Sequence, residues 1–208
     1  MRQIEFVYFD LGNVIVNFDH QQASRNVSQL VGTTVEKNHQ IIFESGLQQQ
    51  YESGQLTSAE YVQAFSEQSG TNPAVNEFCF AVSDIFFLNR SIIPVITQLH
   101  ASGFPFAILS NTCTAHWNYV LSRFPIINTF FSDRENVLSF EAKVMKPNPE
   151  IYQVAIESAA VNPSNVFFVD DRADNVMGAK ESGIQSEIYQ SPLNLAQILN
   201  ESGVSLNL

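Results

Sequence analysis

The sequence contains little cysteine and little positive charge, and it has no long apolar run. Only two of its 208 residues are cysteine, Cys79 and Cys113, and they do not form a CxxC pair. We therefore expect reduced thiols and a cytoplasmic protein. No apolar run reaches the roughly 18 residues of a membrane span, and the first residues lack a signal-peptide pattern. We expect neither membrane insertion nor export.

Basic residues are outnumbered by acidic ones. Lysine and arginine together number 10 against 21 aspartates and glutamates, which gives a formal net charge of −11 at pH 7. Such a surface repels nucleic acids and anionic lipids, so we expect neither as a partner. It also repels phosphorylated metabolites. A site for an anionic substrate therefore needs local positive charge from a metal, a lysine or a helix N-terminus.

Short apolar runs, rich in β-branched and aromatic residues, predict the strands. The clearest are residues 5–9, 106–109 and 166–169, and weaker candidates are residues 128–132 and 186–189. Nearly continuous apolar character is typical of parallel strands that are covered on both faces. We therefore expect these runs to lie in one buried sheet.

Helical patterns separate the apolar runs. The spacing of residues 92–99 predicts a helix capped by Ser91, and Asn148 followed by Pro149 is a strong helix start. Residues 174–181 predict a shorter helix. Alternation of strand and helix predicts an α/β fold with a doubly wound parallel sheet, similar to a Rossmann fold.

Residues 19–88 interrupt this alternation, because they contain helical patterns and no convincing strand. Thr57 and Glu60 have the spacing of a capping box at the start of one such helix. We expect residues 1–18 and 89–208 to form the catalytic core and residues 19–88 to form a small helical cap. An insert in this place is suited to act as a lid over an active site.

Three predicted strands end in polar residues, namely Asp10, residues 110–112, and the pair Asp170 and Asp171. Ligands bind beyond the carboxyl ends of the strands in open parallel sheets. Carboxylates held close together repel, and a divalent cation relieves that repulsion. Oxygen-only ligands suit Mg²⁺, which takes one or two carboxylates plus a substrate phosphate. Lys146, in the loop just before the helix that Asn148 caps, can supply the positive charge that the surface lacks.

These residues together resemble the motifs of the haloacid dehalogenase (HAD) superfamily, whose members are mostly aspartate-nucleophile phosphatases. The four matching segments occur in the family's order, at residues 9–14 (FDLGNV), 109–112 (LSNT), 146–147 (KP) and 169–175 (VDDRADN). The helical insert lies where the family has its small cap, and the resemblance covers about residues 6–189. The DLGN segment is also similar to that of the bacterial α-D-glucose-1-phosphate phosphatase branch.

The resemblance implies a metal-assisted nucleophile. Asp10 would attack phosphorus and carry the phosphoryl group as an aspartyl-phosphate. The Asp10 carboxylate and the Gly12 carbonyl would bind Mg²⁺, and Asp171 would contact it directly or through water. Asp170 would support Lys146 or the metal without binding the ion. A carboxylate nucleophile divides hydrolysis into two displacements, and the metal offsets the repulsion between nucleophile and phosphate.

The resemblance also implies how the substrate is held. Ser110, the backbone amide of Asn111 and Lys146 would bind the phosphoryl oxygens, and Lys146 would act in catalysis as a fixed positive charge. The expected function is Mg²⁺-dependent hydrolysis of a small phosphorylated metabolite such as a sugar phosphate. The expected oligomeric state is a monomer or a homodimer.

One position departs from the family pattern. Most phosphatases of this family have a second aspartate two residues after the nucleophile, which protonates the leaving group, and here that residue is Gly12. Such acid–base help is worth about 10²–10⁴-fold in rate. Asp19 and His20 are the candidates to replace it, because they follow the first strand and could face the cleft.

Three other interpretations compete with a phosphatase function. A haloacid dehalogenase also uses an aspartate nucleophile and lacks the second aspartate, but it works without metal, so Asp170 and Asp171 argue against it. A mutase needs the acid–base group that Gly12 lacks. A binding or regulatory protein on a catalytically inactive scaffold would explain Gly12, although the retained Asp10 and Lys146 oppose it.

Overall fold

The computed structural model describes residues 3–207 and contains one central sheet. The strands within these described residues are β1 (Phe6–Phe9), β2 (Val16–Phe18), β3 (Phe86–Leu88), β4 (Phe106–Ser110), β5 (Val137–Leu138), β6 (Val166–Asp170) and β7 (Gln185–Ile188). Five of them form a parallel sheet in the order β5-β4-β1-β6-β7. The expected α/β class with a parallel sheet is therefore confirmed.

Helices connect and cover the strands. They are α1 (His20–Val31), α2 (Val35–His39), α3 (Leu47–Glu52), α4 (Ser58–Ser69), α5 (Val75–Ser83), α6 (Ile93–Ala101), α7 (Thr114–Arg123), α8 (Pro125–Phe131), α9 (Ser139–Ala142), α10 (Pro149–Ala159), α11 (Ala173–Glu181) and α12 (Pro192–Glu201). Within the described part of the chain, none of these helices has the length and apolar character needed to cross a bilayer.

The three inner strands are buried on both faces, as their apolar sequences predict. Along β1, Val7 and Phe9 enter one apolar cluster while Phe6 and Tyr8 enter the other. Neighbouring strands alternate in the same way, because successive side chains of a strand point to opposite faces. The two clusters fix the register in which β1 pairs with β4 and β6. This register brings the carboxyl ends of the three strands to one edge.

Residues 19–88 contain five of the helices and a π-helix at Gln40–Glu44. Most of their buried apolar side chains form a third cluster, which also includes Cys113. The capping box of Thr57 and Glu60 is present, as predicted. The expectation that this segment holds no strand was wrong, because Phe86–Leu88 pairs antiparallel with β2. The division into a catalytic core and a cap stays a prediction.

Two local predictions need correction. Residues 128–132 were expected to be a strand but belong largely to α8, which begins at Pro125. Asn89, not Ser91, caps the turn that leads into α6, because its side chain accepts a hydrogen bond from the Ser91 amide. The short strands β2 and β5 had no predicted counterpart. By contrast, Asn148 caps α10 as predicted, with proline in the first turn.

Candidate active site

Three carboxylates meet at the carboxyl edge of the sheet. Asp10 directly follows β1, Asp170 ends β6 and Asp171 is the next residue. One oxygen of each lies within 4.8 Å of an oxygen of the others. Asp10 and Asp170 are buried and Asp171 is half-buried. The sequence prediction that these strand ends would meet is therefore confirmed.

Lys146 lies between two of these carboxylates. Its Nζ is 2.9 Å from Oδ1 of Asp10 and 2.7 Å from Oδ2 of Asp170, and it donates a hydrogen bond to the Leu109 carbonyl at 2.9 Å. The side chain is 1% exposed, so Lys146 is not a solvated surface residue. Burial alone would lower its pKa, but the charges of Asp10 and Asp170 outweigh burial and raise it.

The Asp10 carboxylate is held at an energetic cost. Burial raises the pKa of Asp10 to about 6, the charge of Lys146 opposes this rise, and the charge of Asp170 adds to it. Hydrogen bonds from Lys146 and Ser110 favour the ionised form. With one lysine beside three carboxylates, the cluster has an excess of negative charge. A divalent cation would relieve this excess.

The side chain of Asn111 fixes the backbone of Lys146. Its Nδ2 donates to the Lys146 carbonyl at 2.9 Å and its Oδ1 accepts from the Lys146 amide at 2.8 Å. From the sequence, only the backbone amide of Asn111 was expected to have a role. The contact joins the end of β4 to a loop 35 residues further along the chain, which no local pattern indicates.

Asp170 is bound by several donors besides Lys146. Its Oδ1 accepts from the Arg172 amide at 2.8 Å, and the Asn175 side chain donates to both of its oxygens at 3.2 and 3.0 Å. These hydrogen bonds fix the position of the Asp170 carboxylate, which in turn binds Lys146. Asn175 had no predicted role, and its position five residues after Asp170, within the first turn of α11, was the available signal.

The loop after β1 carries a second positioning contact that the sequence reasoning missed. Asn13 has a φ of 54°, a left-handed conformation that asparagine tolerates better than most residues. Its Nδ2 donates to Oδ2 of Asp171 at 2.8 Å, and so orients the half-buried carboxylate. Asn13 lies in the first motif, next to Gly12, but neither the motif nor its spacing indicated this bond.

A small cavity opens at the residues that follow Asp10 and at the end of β4. Its volume is about 60 Å³ and it is lined by Leu11, Gly12, Phe18, His20, Glu52, Ile85, Phe86, Ser110, Asn111, Thr112 and His116. The predicted residues Gly12, Ser110 and Asn111 therefore face one space. Larger surface depressions exist in the described part of the chain, but their lining residues lie away from the carboxylates.

Asp19 and His20, the two candidates to replace the missing acid, differ in their position relative to the cavity. Asp19 caps α1, pairs with Arg25 at 2.7 Å and does not line the cavity. His20 lines the cavity, and its ring packs against Phe18 and Phe43 with centroid distances of 4.7 and 4.6 Å. The burial of this ring lowers the pKa of His20.

Relatives of known activity resemble the chain over different lengths. A D-ribitol-5-phosphate phosphatase of Bacteroides thetaiotaomicron is 29% identical over an alignment of 217 positions, gaps included, which covers 98% of this chain and 99% of the relative. A glyceraldehyde 3-phosphate phosphatase of Methanopyrus kandleri is 34% identical over 95 residues, which are 45% of this chain and 39% of the relative.

Solved structures extend the resemblance to the fold. A HAD family enzyme of Bacteroides thetaiotaomicron has a TM-score of 0.82 at 25% identity and matches 95% of this chain and 98% of its own. A structure of a HAD family enzyme from the same organism, in complex with magnesium and inorganic phosphate, has a TM-score of 0.77 at 27% identity and covers 90% of this chain and 95% of its own. The family model of haloacid dehalogenase-like hydrolases matches residues 4–183. The chain belongs to the haloacid dehalogenase-like hydrolases.

Proposed function

We propose that the protein is a Mg²⁺-dependent phosphatase that hydrolyses a small phosphorylated metabolite, such as a sugar phosphate, through an aspartyl-phosphate on Asp10. The observation that carries this proposal is the position of Lys146, whose Nζ is 2.9 Å from Asp10 at the edge where Asp170 and Asp171 also lie. A nucleophile, a fixed cation and a set of metal ligands are the parts that phosphoryl transfer requires.

The donor set fits magnesium. The three carboxylates offer oxygen ligands only, and the nearby positive charge of Lys146 does not balance them. Asp10 and Asp171 would hold the ion together with the Gly12 carbonyl. Asp170 is already bonded to Lys146 and Asn175, which suits it to support the site rather than to bind the ion itself. When bound, magnesium neutralises charge on the nucleophile and the phosphoryl group.

The protein's own residues would position the phosphoryl group. Lys146 and Ser110 adjoin the Asp10 carboxylate, and both can donate hydrogen bonds to phosphoryl oxygens. The Asn111 side chain is occupied with the Lys146 backbone, which leaves its backbone amide for the substrate. Because these donors are fixed before the substrate arrives, they can stabilise charge as it develops in the transition state.

Entry of a metabolite requires the proposed cap to move. The cavity of about 60 Å³ is far smaller than the roughly 300–1,000 Å³ of typical ligand pockets. Residues 19–88 supply one side of this cavity through His20, Glu52 and Phe86. We propose that the structure corresponds to a closed form, and that opening of residues 19–88 admits the substrate.

The relatives support a sugar or polyol phosphate as substrate, because two of them act on D-ribitol 5-phosphate and glyceraldehyde 3-phosphate. A dehalogenase function fits less well, because it has no use for the Asp171 carboxylate that Asn13 orients. A non-catalytic function fits less well too, because the Asp10–Lys146–Asp170 array is intact. The two free thiols suit a cytoplasmic protein.

The decisive experiment is an assay of the purified protein. We expect it to hydrolyse p-nitrophenyl phosphate with added Mg²⁺ and to lose activity in chelator. A panel that includes ribitol 5-phosphate, glyceraldehyde 3-phosphate and glucose 1-phosphate would identify the substrate class. Halide release from 2-chloropropionate in chelator would support the dehalogenase function instead, and no turnover on any of these substrates would support a binding protein.

A further inference from the structure

The site as described lacks a group that can protonate the leaving oxygen. The second residue after Asp10 is Gly12, and an added side-chain carbon there would lie 2.9 Å from Cε1 of Phe18. The phenylalanine ring therefore occupies the side of the cleft into which an acid at this position would project. A proton donor has to reach the leaving oxygen from another wall of the cavity.

Glu52 lies on such a wall. It is the last residue of α3 and lines the same cavity as Gly12, Ser110 and Thr112. The hydrogen bond that the described residues give to its carboxylate comes from Nε2 of Gln48 at 2.9 Å. Gln48 is buried and is itself fixed, because its Oε1 accepts from the Tyr61 hydroxyl at 2.8 Å.

The backbone of Glu52 is tied to the segments that build the site. Its carbonyl accepts from Oγ of Ser139 at 2.6 Å, and the same Oγ accepts from the Thr112 amide at 2.9 Å. Thr112 follows Ser110 and Asn111, so the end of α3 is linked to the loop after β4. This link holds Glu52 at a fixed place relative to Ser110.

A second contact fixes the residues that follow Glu52. The Gly54 carbonyl accepts from Nζ of Lys143 at 2.8 Å. An added carbon on Gly54 would lie 2.1 Å from the Phe140 carbonyl oxygen, so only glycine permits this close approach. The end of α3 therefore packs directly against the loop that leads to Lys146.

The electrostatic surroundings of Glu52 favour a proton on its carboxylate. Burial raises its pKa to about 7, the bond from Gln48 opposes this rise, and the negative charge of Asp10 adds to it. The other titratable groups of the cavity are His20 and His116. The pKa of His116 is lowered to about 4 by burial, and that of His20 is lowered by burial as well, so both are poor proton donors near neutral pH.

We propose that Glu52 is the proton donor and acceptor of the reaction, acting from the helical segment in place of the aspartate that Gly12 replaces. This inference rests on the proposed phosphatase function. It assigns the acid–base group to a different wall of the cleft, so closure of residues 19–88 would complete the catalytic site as well as exclude water.

The two chemical steps balance with Glu52 as the only added proton carrier. In the first, the Asp10 oxygen forms a bond to phosphorus, the bond from phosphorus to the leaving oxygen breaks, and that oxygen takes the proton of Glu52. The alcohol leaves. In the second, water attacks phosphorus and gives a proton to the Glu52 carboxylate. The bond from phosphorus to the Asp10 oxygen breaks and inorganic phosphate leaves. The Asp10 carboxylate is thereby restored, and Glu52 is protonated again.

Leaving-group dependence tests this assignment. An alkoxide of a sugar needs a proton to leave, whereas p-nitrophenolate does not. For Glu52→Gln, kcat/KM for alkyl and sugar phosphates should fall about 10²–10⁴-fold, the range of general acid–base catalysis. For p-nitrophenyl phosphate it should fall by less than about tenfold, since kcat/KM reports the step in which the leaving group departs. Glu52→Asp should recover part of the loss.

Glu44→Gln is the matched control, because Glu44 is an exposed glutamate of the same segment that does not line the cavity. It should leave both rates unchanged. Thermal unfolding of each variant shows whether it folds. Suppose that the wild type is active and that Glu52→Gln folds. Equal losses of kcat/KM on both substrate types, or no loss on either, would then overturn the role of Glu52 and leave the proposed phosphatase function standing. Absence of wild-type phosphatase activity would overturn the proposed function and this inference with it.

Discussion

A side-chain carbon on Gly12 would lie 2.9 Å from Cε1 of Phe18, so the Phe18 ring fills the space beside residue 12. Phe18 is the last residue of β2, where it pairs with Phe86, and the two rings pack edge to face. The Phe18 ring in this position therefore requires glycine at position 12. Restoring an aspartate at position 12 requires a smaller residue at position 18.

The first prediction follows from this pairing. Gly12→Asp alone should lose about 1–3 kcal/mol of folding stability, as overpacked sites do, and should gain no activity. Gly12→Asp with Phe18→Ala should accept the carboxylate. In a Glu52→Gln background, this pair should raise kcat/KM for alkyl phosphates by about tenfold or more, with a smaller gain for p-nitrophenyl phosphate. Phe18→Ala with Glu52→Gln is the control. If the control gains as much as the full combination, the new carboxylate is not the proton donor.

The second prediction concerns Lys146, which compensates two buried carboxylates at 2.9 and 2.7 Å. Lys146→Met should reduce kcat/KM by about 10²-fold or more, because a fixed charge at the phosphate is lost. In chelator it should also lower the free energy of unfolding by about 3–5 kcal/mol, because the buried charges of Asp10 and Asp170 then lack a compensating positive charge. Urea denaturation measures the latter. Adding Asp170→Asn should recover part of that stability. A Lys146→Met protein as stable as the wild type would show that Lys146 does not compensate the buried charges of Asp10 and Asp170.

The third prediction tests whether Asp171 is a magnesium ligand, a role distinct from that of the nucleophile Asp10. Asp171 is half-buried and is oriented by Asn13, without a bond to Lys146 among the residues described. Magnesium should raise the melting temperature of the wild type, since a ligand at about 100 times its Kd adds about 2.7 kcal/mol. Asp171→Asn should largely remove this shift while leaving the melting temperature in chelator nearly unchanged. If this variant responds to magnesium as strongly as the wild type does, residue 171 is not a ligand.

The fourth prediction concerns pH and stability. In the folded protein the pKa of Glu52 is raised from 4.5 to about 7, mainly by burial. Between these values the folded state keeps a proton that the unfolded chain releases, so the contribution of Glu52 to stability is full below pH 4.5 and is lost as pH rises through 7. Glu52→Gln cannot titrate. Measured by urea denaturation in chelator, the wild type should lose stability relative to Glu52→Gln over this window. Parallel curves for the two proteins would contradict the raised pKa.

Much of the fold could be predicted from the sequence, because the inner strands are apolar on both faces and the helices between them carry clear start signals. The strand predicted at residues 128–132 failed because an aromatic run of that length suits a buried helix equally well, and Pro125 begins the helix upstream. The two residues of β5 are too few to show any period.

The site residues that lie at strand ends could be predicted from the sequence. Asp10, Ser110 and Asp170 end or follow strands whose order the fold class fixes, so their meeting could be expected. The partners of these residues could not. Asn111 binds a loop 35 residues away, and Glu52 reaches the cavity through α3, whose packing depends on contacts with residues 139 and 143, far along the chain. Tertiary contacts of this kind produce no periodic pattern in the sequence, so they could not be predicted from it.

The central claim is that Asp10 carries the phosphoryl group, and trapping of the intermediate tests it most directly. Enzyme mixed with p-nitrophenyl phosphate and Mg²⁺ would be quenched in acid and its peptides analysed by mass spectrometry. We predict one added phosphoryl group on Asp10, absent in chelator and absent in Asp10→Asn, which should also be inactive while keeping its fold. Turnover by Asp10→Asn at a rate near that of the wild type, or a phosphoryl group on another residue, would contradict the account.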